Sequence, residues 1–213
     1  MKIFTEKRQK ELFEDVRRFY NTHEYDYGHR FDHIVRVIWW CILFSKKEKA
    51  DLSILLPAVI LHDVGKMEGI KSGHHPQMSY KMCFKFLKKH GYNKNESKKI
   101  SQAILAHSIQ HSEIPRSIEE KVIFDIDKLD AIGAIGLHRW FFEYSKYGSH
   151  DIAIKEMLKD FKKWKRIVGK VPFYTKTAKK IGSNGVLYIE KIFNDTEKDF
   201  KKFRKIYKEL NIG

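Results

Sequence analysis

Ile54-Leu55-Leu56-Pro57-Ala58-Val59-Ile60-Leu61-His62-Asp63 runs eight apolar residues directly into a histidine and an aspartate. Apolar on every side yet far short of the roughly 20 residues a membrane span needs, the run reads as a buried core helix. Read from Leu52 to about Val64, this helix takes Pro57 in its first turns or as a slight bend, and Gly65 marks its stop. A histidine and a carboxylate ending such a run are costly to bury without partners, so they face a shared polar centre. Two further segments carry the same anomaly: His33 opens Ile34-Val35-Arg36-Val37-Ile38, and Asp127 lies inside Val122-Ile123-Phe124-Asp125-Ile126-Asp127-Lys128-Leu129. Two imidazoles and two carboxylates on three core helices can meet around one divalent cation, whose charge compensates their burial.

The flanking sequence is helical as well. Leu12, Phe13, Val16 and Phe19 or Tyr20 recur at helical spacing over residues 6 to 20, and a strongly apolar segment runs from about Phe31 to Lys46. Pro76 suits the first turn of a helix carrying Tyr80, Cys83, Phe84 and Leu87 and ending near Gly91; Asn95 caps the next, through about His107. Ser117-Ile118-Glu119-Glu120 has the form of a capping box and starts a helix through Asp125, Asp127 and Asp130. With no strand-helix alternation and no internal repeat, the expectation is an all-α bundle forming one domain over residues 1 to 213.

The composition of 213 residues, 42% hydrophobic and 32% charged with four prolines and twelve glycines, excludes disordered, collagen-like and miniature scaffolds. The N-terminus has no signal-peptide apolar stretch, so a cytoplasmic protein with no membrane partner is expected. Cys41 and Cys83, isolated among apolar neighbours, read as buried reduced thiols. The net charge of +15 invites a nucleic-acid partner, but ten of those charges fall in residues 155 to 213. There Lys159, Lys162, Lys163 and Arg166 read as a solvated helix face, without a zinc-finger, helix-turn-helix or RNA-binding-sheet signature. The aromatic set Trp140, Phe141, Phe142, Tyr144 and Tyr147 reads as core.

Three aspartates compete for the fourth ligand position. At about 100° per residue, Asp127 and Asp130 differ by roughly 60° and share a face, whereas Asp125 lies roughly 160° from Asp127 and is set aside.

His33, then His62-Asp63, then Asp127 matches an ordered His…His-Asp…Asp signature. Together with Gly28-His29-Arg30-Phe31-Asp32-His33, Leu61-His62-Asp63-Val64-Gly65-Lys66 and Asp125-Ile126-Asp127-Lys128-Leu129-Asp130-Ala131-Ile132-Gly133-Ala134, it resembles the HD-domain metal-dependent phosphohydrolase superfamily, in a small-hydrolase branch similar to nucleotide pyrophosphohydrolases. The resemblance covers about residues 20 to 145. It implies an HD-domain helical bundle with a lysine-rich C-terminal helical extension over about 150 to 213. It also implies His33, His62, Asp63 and Asp127 as metal ligands. Asp130 is left to orient water or a ligand, or to fix Lys128 or a histidine, and Asp63 shares the water-orienting role. Lys66 would either neutralise a substrate phosphate or stand as a solvated lysine at the helix end. His75 and His107 match positions where related two-metal proteins place further histidines, for a second metal or for phosphate contact. His29 and Asp32 flank the first ligand as tautomer-setting or capping groups, and Arg36 and Arg139 are either phosphate clamps or partners of core carboxylates.

Imidazole and carboxylate ligands with open positions suit Mn²⁺, Mg²⁺, Co²⁺ or Fe²⁺ better than a closed structural zinc site. The implied activity is hydrolysis of a nucleotide or other small phosphate ester or anhydride by metal-activated water. Two other readings compete: a nucleic-acid-binding protein with a structural or vestigial metal site, and an HD-type di-iron oxygenase. Phe173-Tyr174-Thr175-Lys176-Thr177-Ala178-Lys179-Lys180 resembles the region through which relatives bring basic residues to substrate, making Lys176, Lys179 and Lys180 candidates, but the expected following arginine is missing from Ile181-Gly182-Ser183-Asn184-Gly185-Val186.

Overall fold

The computed structural model describes residues 3–22, 31–68, 74–108, 114–168 and 173–210. His29 lies outside the described residues. The rest is helix and connecting turn: α1 (Lys7–Asn21), α2 (Phe31–Glu48), α3 (Leu52–Leu61), a 3-10 turn (Val64–Glu68), α4 (His75–Lys89), α5 (Lys94–Ala106), α6 (Ile118–Leu129), α7 (Gly133–Tyr144), a short 3-10 turn (Ser145–Tyr147), α8 (His150–Val168) and α9 (Lys176–Glu209). No strand occurs among the described residues, and none of the helices there is long and apolar enough to cross a membrane.

The helix built from the run Ile54 to Leu61 is central. All eight residues are buried, because α1, α2, α5 and α6 surround α3. Asp51 starts it by accepting from Ser53 N at 2.8 Å. The helix ends at Leu61, before the expected Val64. The chain tightens there into a 3-10 turn, with Lys66 N donating to Asp63 O at 3.0 Å. Gly65 lies within that turn, where its amide donates to Ser79 Oγ at 2.9 Å. A Cβ at Gly65 would meet Ser79 N at 2.5 Å, so glycine serves here to let the turn touch the backbone of α4.

Capping follows local chemistry. The α5 cap is Asn93, not Asn95: Asn93 Oδ1 accepts from Glu96 N at 3.0 Å, and Glu96 Oε2 accepts from Asn93 N at 2.8 Å, a reciprocal pair available only to the residue three before Glu96. Ser117 Oγ accepts from Glu120 N at 3.2 Å to start α6, although Glu120 reaches back to Arg116 N instead of Ser117.

The C-terminal helices are fastened to the bundle by two carboxylates. Asp125 of α6 accepts from Tyr174 N at 2.9 Å and from Thr175 N and Oγ1, each at 2.7 Å. Glu48 of α2 accepts from Thr177 N at 3.1 Å and from Thr177 Oγ1. Beneath them Trp140 stacks on Tyr144, and Phe161 on Phe193 with ring centroids 4.0 Å apart. Phe141, Phe142 and Tyr147 depart from the core reading: all three are exposed, because helical spacing turns Trp140 and Tyr144 inward and Phe141 and Phe142 away. Cys41 and Cys83 are buried free thiols, and burial pushes both their pKa values up.

Candidate metal centre

Five helices deliver six side chains to one place. α2 supplies His33, the end of α3 supplies His62 and Asp63, α4 opens on His75, α5 is capped by His107, and α6 carries Asp127. His33, His62, Asp63, His75 and His107 are buried, whereas the Asp127 side chain is 23% exposed and marks the opening to solvent.

The six form two clusters sharing one carboxylate. In the first, His33 Nε2 and His62 Nε2 are 3.3 Å apart, and Asp127 Oδ1 lies 3.3 and 3.7 Å from them. Asp63 Oδ2 approaches the same two nitrogens at 3.7 and 3.5 Å. In the second, His75 Nε2 and His107 Nε2 are 3.1 Å apart, with Asp63 Oδ1 at 3.5 and 3.6 Å. Asp63 thus turns one oxygen to each pair of histidines. Donor atoms of His33, His62 and Asp127, and those of His62, Asp63 and His107, fall within 4.8 Å of one another.

The backbone sets the histidine tautomers. His62 Nδ1 donates to Val59 O at 2.7 Å and His107 Nδ1 to Ile104 O at 2.5 Å; a carbonyl only accepts, so the proton sits on Nδ1 and the Nε2 lone pair points inward. His33 Nδ1 donates to Asp130 Oδ2 at 2.7 Å with the same result. Imidazole lone pairs converging beside carboxylates are the donor set of a divalent cation, and these residues fit one. The electrostatics agree. Burial disfavours a charged His33, yet its bonds to Asp127 and Asp130 outweigh that and raise its pKa. Burial also works against the Asp127 carboxylate, but Lys128 and the two histidines hold its pKa well below the usual range. Burial lowers the His107 pKa and favours its neutral form, so an ionised Asp127 stands in one site with a neutral imidazole.

Lys66 Nζ donates to Asp63 Oδ2 at 2.7 Å, with 17% of its side chain exposed. The three aspartates of α6 separate as helix geometry requires. Asp127 joins the histidines, and Asp125 turns to the opposite side and holds the start of α9. Asp130, expected among other roles to orient water, stands behind His33. Its Oδ1 accepts from Arg36 Nε at 2.7 Å, and its Oδ2 accepts from His33, from Arg139 Nη1 at 2.6 Å and from Arg36 Nη2 at 3.1 Å. Arg36 and Arg139 are therefore partners of a core carboxylate, and Arg36 Nη1 also binds Asp32 Oδ2 at 2.5 Å. Lys176, Lys179 and Lys180 are exposed at the start of α9.

Lys128 enters the sequence reading only as a possible partner of Asp130, with no role of its own. Buried, with its pKa lowered chiefly by that burial, it donates to His107 O and to Asp127 Oδ2 at 3.2 Å and lies 4.0 Å from the Phe124 ring centroid. The available signal was a lysine directly beside Asp127 in a mainly apolar helical run.

Comparison with known proteins places this geometry. The family model described as HD domain matches residues 30–132. An uncharacterized Bacillus subtilis protein, YpgQ, is 32% identical over 118 residues, 54% of this chain; the match spans 56% of that relative's length. The solved structure of Bacillus subtilis YpgQ in complex with ADP superposes with a TM-score of 0.62 at 25% identity, covering 88% of this chain and 97% of that one. A Lactobacillus plantarum protein shares the fold with a TM-score of 0.72 at 21% identity, covering 93% and 99%. With the ordered ligands brought together on these helices, residues 30–132 form an HD domain.

Proposed function

We propose that this chain is a divalent-metal-dependent phosphohydrolase acting on a small phosphorylated substrate of nucleotide type. The observation that carries the reading is the convergence of His33, His62, Asp63 and Asp127 in a buried cluster that opens at Asp127. These four would hold the cation, with Mn²⁺, Mg²⁺, Co²⁺ or Fe²⁺ better suited than structural zinc. When bound, it supplies Lewis-acid polarisation of the phosphoryl group and activation of water. Asp63, from within the cluster, and Asp127, on its solvent-facing side, would orient the attacking water. Lys66, at the rim, balances negative charge on the substrate phosphate, and Lys128 fixes Asp127 against α5. Asp130, braced by Arg36 and Arg139, holds the proton on His33 Nδ1 and keeps that ring aimed at the cluster.

His75 and His107 extend the site, and the reading favoured here is a second cation, because Asp63 Oδ1 faces both of their Nε2 atoms. The ADP in the YpgQ structure supports a nucleotide substrate. The whole chain acts as one helical unit, and its buried free thiols suit the reducing cytoplasm.

The test is a screen for phosphate and pyrophosphate release from nucleoside mono-, di- and triphosphates with Mn²⁺, Mg²⁺ and Co²⁺. Release that needs metal and disappears in folded His62→Ala protein is expected; full activity after chelation would overturn the reading. Metal analysis should give two ions per chain and one in His107→Ala, and a single ion in the unaltered protein would remove the second cation.

A further inference from the structure

The metal centre leaves most of the charge surplus unused. Between α8 and α9 runs a groove of about 440 Å³ into which both helices turn cations. Lys155, Lys159, Lys162 and Lys163 line it from α8, and Lys201 and Arg204 from α9. Glu197 is the acidic residue among its lining, while Leu158 and Phe200 make an apolar floor.

Local pairing does not cancel this charge. Lys159 reaches Glu156 at 3.2 Å and Lys163 reaches Asp160 at 3.0 Å, while Lys162 and Lys201 share Glu197 at 2.8 and 3.3 Å. Among the described residues Lys155 and Arg204 make no ion pair, and six cations stand against three carboxylates. The Lys155 to Lys163 row extends about 12 Å along α8 at the helical rise. Such a row presents a line of positive charge to an extended polyanion.

We propose that the α8–α9 groove binds single-stranded nucleic acid through its phosphate backbone, without sequence readout. The apolar floor selects the strand type: a single strand exposes base faces that Leu158 and Phe200 can cover, whereas a duplex offers a concave groove only its phosphates. A bilayer surface is disfavoured by geometry. The exposed apolar residues Phe203, Ile206 and Leu210 lie roughly 100–160° around α9 from Arg204, so groove and apolar face cannot engage one flat surface together.

The experiment is fluorescence anisotropy of the full chain with a labelled thymidine oligonucleotide of about 15 nucleotides, across a range of salt concentrations. Binding that strengthens as salt falls is expected. The double variant Lys155→Glu/Arg204→Glu should weaken it at least about tenfold and flatten the log-log salt slope by about 1.4, at roughly 0.7 per lost phosphate contact. Lys46→Glu/Lys47→Glu, an equal charge change at the exposed end of α2, should stay within about twofold, and His62→Ala should bind like the unaltered protein. If the groove variant fails to fold by circular dichroism, Lys155→Gln/Arg204→Gln replaces it, with a slope change of the same sign. The proposal is overturned by no binding at low salt, by equal weakening in both double variants, or by tighter binding of a duplex of equal length. Sedimentation with phosphatidylserine vesicles in the absence of oligonucleotide binding overturns it too, in favour of a membrane surface.

Discussion

In the metal centre His62, Asp63 and His107 are almost sealed from water and turned toward one another, whereas along the α8–α9 groove Lys162 and Lys201 keep 61% and 71% of their side chains exposed. Both regions are rich in ionisable groups, but they obey different rules. A charge or imidazole in the interior survives only with a partner, so its position is dictated and its loss is costly. A charge on the surface is already solvated and tolerates many arrangements, so what matters there is the field the group helps to build.

The comparison would break most visibly at Asp63. Asp63→Ala removes the carboxylate shared by both clusters and should lower hydrolysis by at least about 10³-fold, read as phosphate release at saturating metal, while far-ultraviolet dichroism stays helical. Near-normal turnover would mean that the buried arrangement is only structural. Next comes Asp125→Ala, which strands the donors of Tyr174 and Thr175. A loss of about 3–5 kcal/mol in denaturant unfolding is expected, together with faster amide exchange at those two residues. Asp130→Asn leaves every proposed ligand in place but loosens the hold on His33, so metal affinity measured by competition with a chelator should fall about 10- to 100-fold.

The smallest effect belongs to the exposed side. Lys162→Ala should cost no more than about 0.5 kcal/mol, because water and salt screen its pair with Glu197. Its pH dependence has a fixed sign. The hydrogen bond from Lys162 is the main cause of the lowered Glu197 pKa, so the pair contributes above the ordinary glutamate value and the contribution is lost as pH falls through the lowered one. The stability difference between variant and unaltered protein should therefore vanish in acid. A large difference persisting there would show that Lys162 acts through packing.

The same contrast explains what could be read from the sequence. His33, His62, Asp63 and Asp127 stood out because polar groups interrupt apolar runs, and helix geometry alone was enough to turn Asp125 away from Asp127. The partners of Asp125 lie 49 and 50 residues downstream, a pairing no local pattern encodes. Asp130 had several roles open to it, and only the arrival of Arg36 and Arg139 from other helices assigns its two oxygens. Asn93 and Asn95 are both good caps by residue type; the position of Glu96 decides between them. The α8 lysines were visible, but as a solvated face, since a groove exists only once a second helix stands beside it.

Asp125 also bears on where this protein can be divided. The stretch recognisable as an HD domain ends at residue 132, yet α6 is held on one side by the metal-site helices and on the other by Tyr174 and Thr175, just ahead of α9. A chain shortened to the recognisable stretch would keep all six cluster side chains and still lose the brace behind the helix that aims Asp127. The inheritable motif and the smallest unit able to keep its geometry are therefore different lengths of chain, and substitutions around Tyr174 and Thr175 act on the aim of Asp127 as well as on stability.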